Sequence, residues 1–247
     1  MTKRLLILFS VLISLLMAST STIAAQTPTP DVSSIAKDVL AADPQSLLEG
    51  LQTPPRDKDL PEGFSDAQYV DIASHATPVA SPVSDDKSRD CLYDASSLGQ
   101  TEGAVGYSIV GDTTALNFPY VCASINYVIF EEGALGKTPL EDFKTGVEQG
   151  INESGGEGTP DSQGGIGKVT DTTVEGEDAV LLTYTIEDGG AHVVVQTLAL
   201  PVGNVFVISL VSVADTGEID ADQIAEYADQ LTVAGINHLG TVVEGAQ

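Results

Sequence analysis

The spacing of hydrophobic positions changes several times along the chain, and each change marks a predicted element. Val105, Tyr107 and Ile109 alternate with polar residues and predict a strand, and alternate residues from 121 to 129 predict a second one. Four more strands are predicted at about 168–175, 179–187, 191–200 and 205–213. Short turns such as Asp188-Gly189-Gly190 separate these four, which is typical of an antiparallel meander.

Helical spacing appears between and after these strands. A helix is predicted over 139–152, with Thr138 and Glu141 as a capping box at its start. A last helix is predicted over 221–234, and Asp220 and Gln223 form a second predicted capping box. The apolar stripe of the first helix consists of Leu140, Phe143, Val147 and Ile151.

The strand at 205–213 is apolar on both of its sides, so it must be covered on both sides. The predicted fold class is therefore α+β. We expect an antiparallel sheet of about six strands, in the order β-β-α-β-β-β-β-α, with helices covering both faces. The two predicted helices supply that cover.

The start of the chain has the layout of a secretory signal peptide. Lys3 and Arg4 precede an apolar run over 5–17, which is shorter than the ~20 residues of a membrane-spanning helix. Cleavage is expected after Ala25 or one residue earlier, so that 1–25 is removed and the protein is secreted. An uncleaved membrane anchor is the alternative.

The remaining chain divides into an arm, a domain and a tail. The arm covers 26–90 and carries two short predicted helices, at 34–42 and 44–51, before a linker rich in Pro, Asp and Ser. Asp43 is the predicted N-cap of the second short helix. The domain is expected over 91–240, and 241–247 shows no packing signal.

The chain has two cysteines, Cys91 and Cys122. An exported protein meets oxidising conditions, so a disulfide between them is expected. Two buried free thiols are the alternative.

Charge restricts the partners. The chain has 36 acidic and 10 basic residues and a formal net charge of −26. Nucleic acids and anionic membranes both require a basic surface, so neither is an expected partner. Mutual repulsion also favours a monomer, and a protein or a small ligand is the expected partner.

The order of elements resembles the PsbP-like α/β/α sandwich over roughly 104–236. The segments that carry the resemblance are LEDFKTGVEQGI, VEGEDAVLLTYTI, VVVQTLALPVGNVFVISLVSV and DADQIAEYADQL. Secreted bacterial proteins of unknown role are similar in layout. The resemblance implies a mostly non-catalytic protein that serves in interactions or binds small ligands. It identifies no functional residue.

Two groups of carboxylates are candidates for cation binding: Asp215, Glu218, Asp220 and Asp222 before the last helix, and Glu175, Glu177 and Asp178 in a hairpin turn. Clustered oxygens hold Ca²⁺ in extracellular proteins, and we take the first group as a calcium candidate. The spacing is not that of an EF-hand loop. The alternative is that these acids complement a helix dipole and keep the turns solvated.

The sequence predicts no catalytic residue and no other cofactor. The nucleophile motif G-x-S-x-G is absent, and neither Gly-Lys pair has the spacing of a phosphate-binding loop. The expected function is a secreted, non-catalytic binding or interaction module of unknown specificity. A small-ligand or calcium-binding extracellular protein is the alternative, and a hydrolase ranks last.

Overall fold

The structure is a computed structural model that describes five stretches of the chain: 29–72, 101–130, 139–154, 165–188 and 190–246. Within these stretches the fold is α+β, with a seven-stranded antiparallel sheet, four α-helices and one short 3-10 helix. The fold class predicted from the sequence is confirmed, although the sheet has seven strands rather than about six. The predicted signal peptide lies outside the described residues.

The elements occur in the following order: α1 (Val32–Ala41), α2 (Pro44–Gly50), a short 3-10 helix (Asp57–Asp59), β1 (Phe64–Val70), β2 (Thr101–Gly111), β3 (Tyr120–Phe130), α3 (Pro139–Ser154), β4 (Ile166–Val174), β5 (Glu177–Asp188), β6 (Ala191–Val202), β7 (Val205–Asp215) and α4 (Ala221–Gly245). Across the sheet the strands are ordered β1-β2-β3-β7-β6-β5-β4, and every neighbouring pair is antiparallel. The meander β4 to β7 therefore joins the sheet through β7, which lies beside β3.

The additional strand is β1, which the sequence analysis placed in the arm. It pairs with β2 from Phe64 opposite Gly111 to Val70 opposite Gly106. The register shifts between Ser65 and Gln68, and this bulge breaks the alternation that would mark a strand in the sequence. Part of the predicted arm thus belongs to the sheet.

The start of α4 is the predicted one, but its capping is simpler than expected. Asp220 accepts a hydrogen bond from the backbone N–H of Asp222 at 3.0 Å and is the N-cap. The predicted capping box is wrong, because the Gln223 side chain donates to the Tyr227 hydroxyl at 2.9 Å instead. That side chain therefore stabilises the next turn of the helix, at the usual i, i+4 spacing.

The predicted end of α4 at residue 234 is also wrong, because the helix continues to Gly245. Leu239 and Val243 are fully buried, so the apolar stripe extends into the segment where no packing was expected. None of the described helices is long and apolar enough to cross a membrane.

The second short helix of the arm, α2, begins at Pro44 as predicted, whereas α1 begins at Val32, two residues before the predicted start, with Asp31 as its N-cap. Asp43 accepts from the backbone N–H of Ser46 at 2.9 Å and caps α2, as predicted. Leu47 and Leu51 are completely buried and belong to the same core as α4. The arm up to this point is therefore a packed part of the domain.

The side chains of β7 divide among three apolar clusters. The larger cluster contains Val205, Val207 and Val211 together with buried residues of α1, α2 and α4. A smaller cluster contains Phe206 and Ile208 together with residues of α3. The third cluster contains Leu210. Successive residues of a strand point to opposite faces, so the first cluster follows the odd-numbered positions of β7 and the other two follow the even-numbered ones.

Candidate functional site

Two of the four predicted calcium ligands hold the backbone of the loop before α4. Asp215 Oδ1 accepts from the N–H of Thr216 at 2.6 Å and from that of Gly217 at 3.1 Å. Asp220 is the N-cap of α4. These contacts give both carboxylates a role in the local structure that needs no cation.

The other two predicted ligands, Glu218 and Asp222, have exposed side chains. Across the described stretches, no group of three or more His, Cys, Asp or Glu side chains is arranged to hold a metal ion. The four acids are therefore close in sequence, but they do not form a ligand set there. Calcium binding by these residues stays a prediction.

The structure instead brings three carboxylates from two elements together. Asp229 of α4 is half-buried near Glu226 of the same helix and Glu175 of the β4–β5 turn. Burial raises the pKa of Asp229, and the negative charges of Glu175 and Glu226 raise it further. We call these three residues the acidic corner. Sequence reasoning missed it because Asp229 and Glu175 meet only through the packing of α4 on the sheet.

The acidic corner lies at one end of β4, which forms an edge of the sheet. Strand β4 pairs with β5 in regular register from Ile166 opposite Thr185 to Val174 opposite Glu177. Its other side has no strand partner among the described residues. The unpaired backbone groups of such an edge are a template for another extended chain.

The opposite edge of the sheet, β1, is irregular and partly covered. In β1 the backbone of Asp66 has a positive φ of 53°, which bends the strand at its bulge. The N–H of Asp66 donates to Asp57 Oδ1 at 2.7 Å, so a side chain from the 3-10 helix already occupies that group. Bulges and covered backbone groups hinder edge pairing, so β1 is protected at Asp66, whereas β4 has neither feature among the described residues.

Cys122 is buried in β3, on the same face of the sheet as Leu210. No described cysteine is free. The expected partner of Cys122 is Cys91, which lies outside the described residues, so the disulfide stays a prediction.

If the disulfide forms, reduction and alkylation under denaturing conditions should add two alkyl groups to the intact mass, while alkylation without reduction should add none. Labelling of both cysteines without reductant would contradict it.

A buried polar cluster joins the arm, the sheet and α4. The Tyr107 hydroxyl donates to the carbonyl oxygen of Leu51, and it lies 3.2 Å from His238 Nε2. The Tyr127 hydroxyl donates to the carbonyl oxygen of Gly235 at 2.9 Å. No sequence pattern predicts this cluster, because its members are far apart in the chain and each lies in an apolar pattern.

Burial lowers the pKa of His238 below its ordinary value, against the opposing effect of a hydrogen bond to the backbone of Thr53. Asp59 also raises this pKa, and Arg56 lowers it. Burial raises the pKa values of Tyr107 and Tyr127 as well, so both phenols stay neutral. The cluster is an uncharged hydrogen-bonded contact that ties Leu51 and Thr53 to the sheet.

This lowered pKa predicts a loss of stability in acid. Below about pH 6.5, the ordinary histidine value, the unfolded chain takes up a proton on His238 before the folded chain does. The free energy of unfolding therefore falls as the pH drops from about 7, and the loss is complete below the folded pKa of His238. Urea unfolding between pH 8 and pH 5 measures this slope.

The variant His238→Gln should remove this part of the pH dependence while keeping a polar side chain at the site. His192→Gln is the matched control, because His192 is an exposed histidine at the start of β6. The control should keep the slope of the unsubstituted protein. Equal slopes for both variants would show that His238 is not the group responsible.

Comparisons with known proteins give no family. No family model matches the chain, and no curated protein matches it. A protein of unknown function from Pseudomonas aeruginosa, PA94, is similar in structure over 37% of this chain and 58% of its own length, with 17% identity and a TM-score of 0.27. Protein CV1439 from Chromobacterium violaceum is similar over 83% of this chain and 92% of its own, with 13% identity and a TM-score of 0.21. Likenesses this weak carry no argument about fold or function.

Proposed function

We propose that the chain is a secreted, non-catalytic interaction module that binds an extended segment of a partner protein along β4. The observation that carries this proposal is the contrast between the two edges of the sheet. Strand β1 is bent by a bulge and partly covered by Asp57, whereas β4 is regular and unpaired on its outer side within the described residues. Strand addition to such an edge is a common mode of peptide recognition.

The charge around β4 favours a cationic segment. The acidic corner lies at its Val174 end, and none of the ion pairs among the described residues involves Glu175, Glu226 or Asp229. Near the middle of the strand, Asp171 is paired with Lys144 of α3 at 2.7 Å. The net charge of −26 adds a general attraction for a basic partner and opposes pairing between two copies of the chain.

We also propose that the domain has the layered arrangement of a PsbP-like sandwich, with helices on both faces of the sheet. Phe206 and Val207 are neighbours in β7 and point to opposite faces. Phe206 stacks on Phe143 of α3, whereas Val207 lies beside Gly235 of α4. These contacts support helices on both faces of the sheet. Because the faces are then covered, a partner strand would bind at an edge of the sheet.

A synthetic peptide of alternating valine and lysine tests the proposal. Its lysines suit the acidic corner, and its backbone can add to β4 as a strand. We expect it to bind, with the affinity measured by isothermal titration calorimetry. A valine–glutamate peptide of the same length should not bind, and neither should a valine–lysine peptide with N-methyl groups on alternate amides, because each lacks one of the two proposed contacts.

Two lysine substitutions provide the matched protein variants. Thr170 is exposed in β4, and Thr114 is exposed in the loop between β2 and β3. Thr170→Lys should weaken binding of the valine–lysine peptide about three- to fivefold, which corresponds to the upper range for one exposed charge contact. Thr114→Lys makes the same change in net charge and should have little effect. Equal effects of the two variants would contradict binding at β4.

A further inference from the structure

A patch of small or polar residues lies in the middle of the sheet. The patch, which we call the polar trough, consists of Gly106, Ser108, Ser124, Asn126 and Ser212. The strand registers place Gly106, Asn126 and Ile208 in one row, Ser108, Ser124 and Leu210 in the next, and Val110, Cys122 and Ser212 in a third. Directly paired residues point to the same face, so the trough runs along β3 on the face that also bears Phe206.

The Asn126 side chain in this trough has an acceptor without a partner. Asn126 is fully buried, and its Nδ2 donates to Ser124 Oγ at 2.9 Å and to the carbonyl oxygen of Ile208 at 3.2 Å. A carbonyl only accepts hydrogen bonds, so the nitrogen must face Ile208 and the orientation of the amide is fixed. Asn126 Oδ1 then points away from both groups and has no hydrogen-bond partner.

A second orphan lies two rows further along the trough. Ser212 is 1% exposed, and its Oγ also has no partner. An unpaired buried polar atom destabilises a fold, and two of the three such side-chain atoms among the described residues lie in this trough; the third is Asn204 Oδ1, in the turn between β6 and β7. Four residues of strand separate the row of Asn126 from that of Ser212, which is about 13 Å.

The surroundings of the trough define the chemistry of a ligand. Glycine and serine side chains are small, and on the same face of β2 Ser108 is partly exposed and Val110 is 51% exposed. Apolar clusters border the trough, with Phe206 and Phe130 at the Asn126 end and Val195 beside Ser212. The charged residue in the row of Asn126 is Asp171, four strands away at about 19 Å and already paired with Lys144.

We propose that the polar trough binds a small uncharged molecule whose N–H or O–H group donates to Asn126 Oδ1 and whose remainder is apolar. This site is separate from the proposed peptide-binding edge, because β7, β6 and β5 lie between β3 and β4. It therefore does not depend on the function proposed above. Ordered water is the competing occupant, since it too can donate to a buried carbonyl.

Three probes of similar size separate these possibilities. Hexanamide has an apolar chain and an N–H donor, methyl hexanoate lacks the donor, and hexanoate carries a charge. We expect hexanamide to bind the secreted protein, with shifts in the NMR signals of Asn126 and Ser124. The ester and the carboxylate should each bind at least about tenfold more weakly, the usual effect of losing a hydrogen bond to a buried acceptor. Similar affinities for all three, or no binding of hexanamide because water fills the trough, would overturn the proposal.

Matched variants locate the site. Asn126→Leu removes the acceptor and should weaken hexanamide binding at least about tenfold. Asn126→Ser is a smaller second variant with the same expected loss. Gln196→Leu is the control, because Gln196 is equally buried on the other face and its amide is bonded to Thr183 and to the carbonyl oxygen of Ala221. Unchanged affinity in a folded Asn126 variant, or an equal loss in the control, would place the binding elsewhere.

Discussion

Replacing Phe206 with Ala is expected to lower the free energy of unfolding by about 3–5 kcal/mol, as for other buried aromatic residues. Phe206 is 2% exposed and contacts two other rings. The centroid of its ring is 5.6 Å from that of Phe130 and 5.6 Å from that of Phe143. The substitution therefore leaves a cavity and removes the stacking that attaches α3 to the sheet.

Urea unfolding followed by circular dichroism measures this loss. Val110→Ala is the control, because Val110 lies in β2 on the same face but is 51% exposed. Exposed substitutions usually change stability by less than about 0.5 kcal/mol. A loss below about 1 kcal/mol for Phe206→Ala would mean that α3 is not packed on this ring, since ordinary core truncations cost more.

Replacing Leu231 with Ala is expected to cost about 2–5 kcal/mol, the range for a buried leucine. Leu231 is completely buried in α4, in the core that contains Val207 and Val211 of β7. The helix lies close to the sheet here, because Gly235 approaches Ile125 and Val207 with no side chain between them. So tight a contact cannot close around a cavity by a small shift of the helix.

The control for this variant is Leu40→Ala. Leu40 also lies in a helix, α1, but its side chain is 65% exposed. Both variants make the same change in helix propensity, so their difference reports burial alone. Two equal and small losses would contradict the packing of α4 on the sheet.

The hairpins and helix starts of this fold were predictable because their signals are local. The caps Asp43 and Asp220 precede helices as expected, and the four strands predicted between about 168 and 213 are present as β4 to β7. Turn and cap preferences depend on a few adjacent residues, so they survive in any tertiary context.

The elements that were missed depend on contacts distant in sequence. Strand β1 alternates poorly, and it becomes a strand because Phe64 to Val70 pair with β2. The last turns of α4 are helical because Leu239 and Val243 pack in the main core. The sequence of β1 does not identify β2 as its partner, and the sequence of the last turns of α4 does not identify the main core. Tertiary packing overrides the weak local propensity of both segments.

The candidate sites show the same limit. Asn126 alternates with apolar residues in β3, and this pattern predicts a solvent-facing side chain, whereas it is fully buried. The apolar pattern of β7 could have revealed this. A strand that is apolar on both sides must be covered on both faces of the sheet. Because β3 lies beside β7, the same cover extends to the side chains of β3. The acids before α4 were adjacent in sequence, yet Asp215 and Asp220 serve the backbone instead of converging.

The most direct test of the proposed interaction module is amide hydrogen exchange with and without the valine–lysine peptide. The outer backbone groups of β4 are unpaired in the described part of the sheet, so a bound strand would protect them from exchange. The proposal predicts slower exchange within Ile166–Val174 and no change within Phe64–Val70. Protection of β1 instead of β4, or no protection at either edge under saturating peptide, would contradict binding by strand addition at β4.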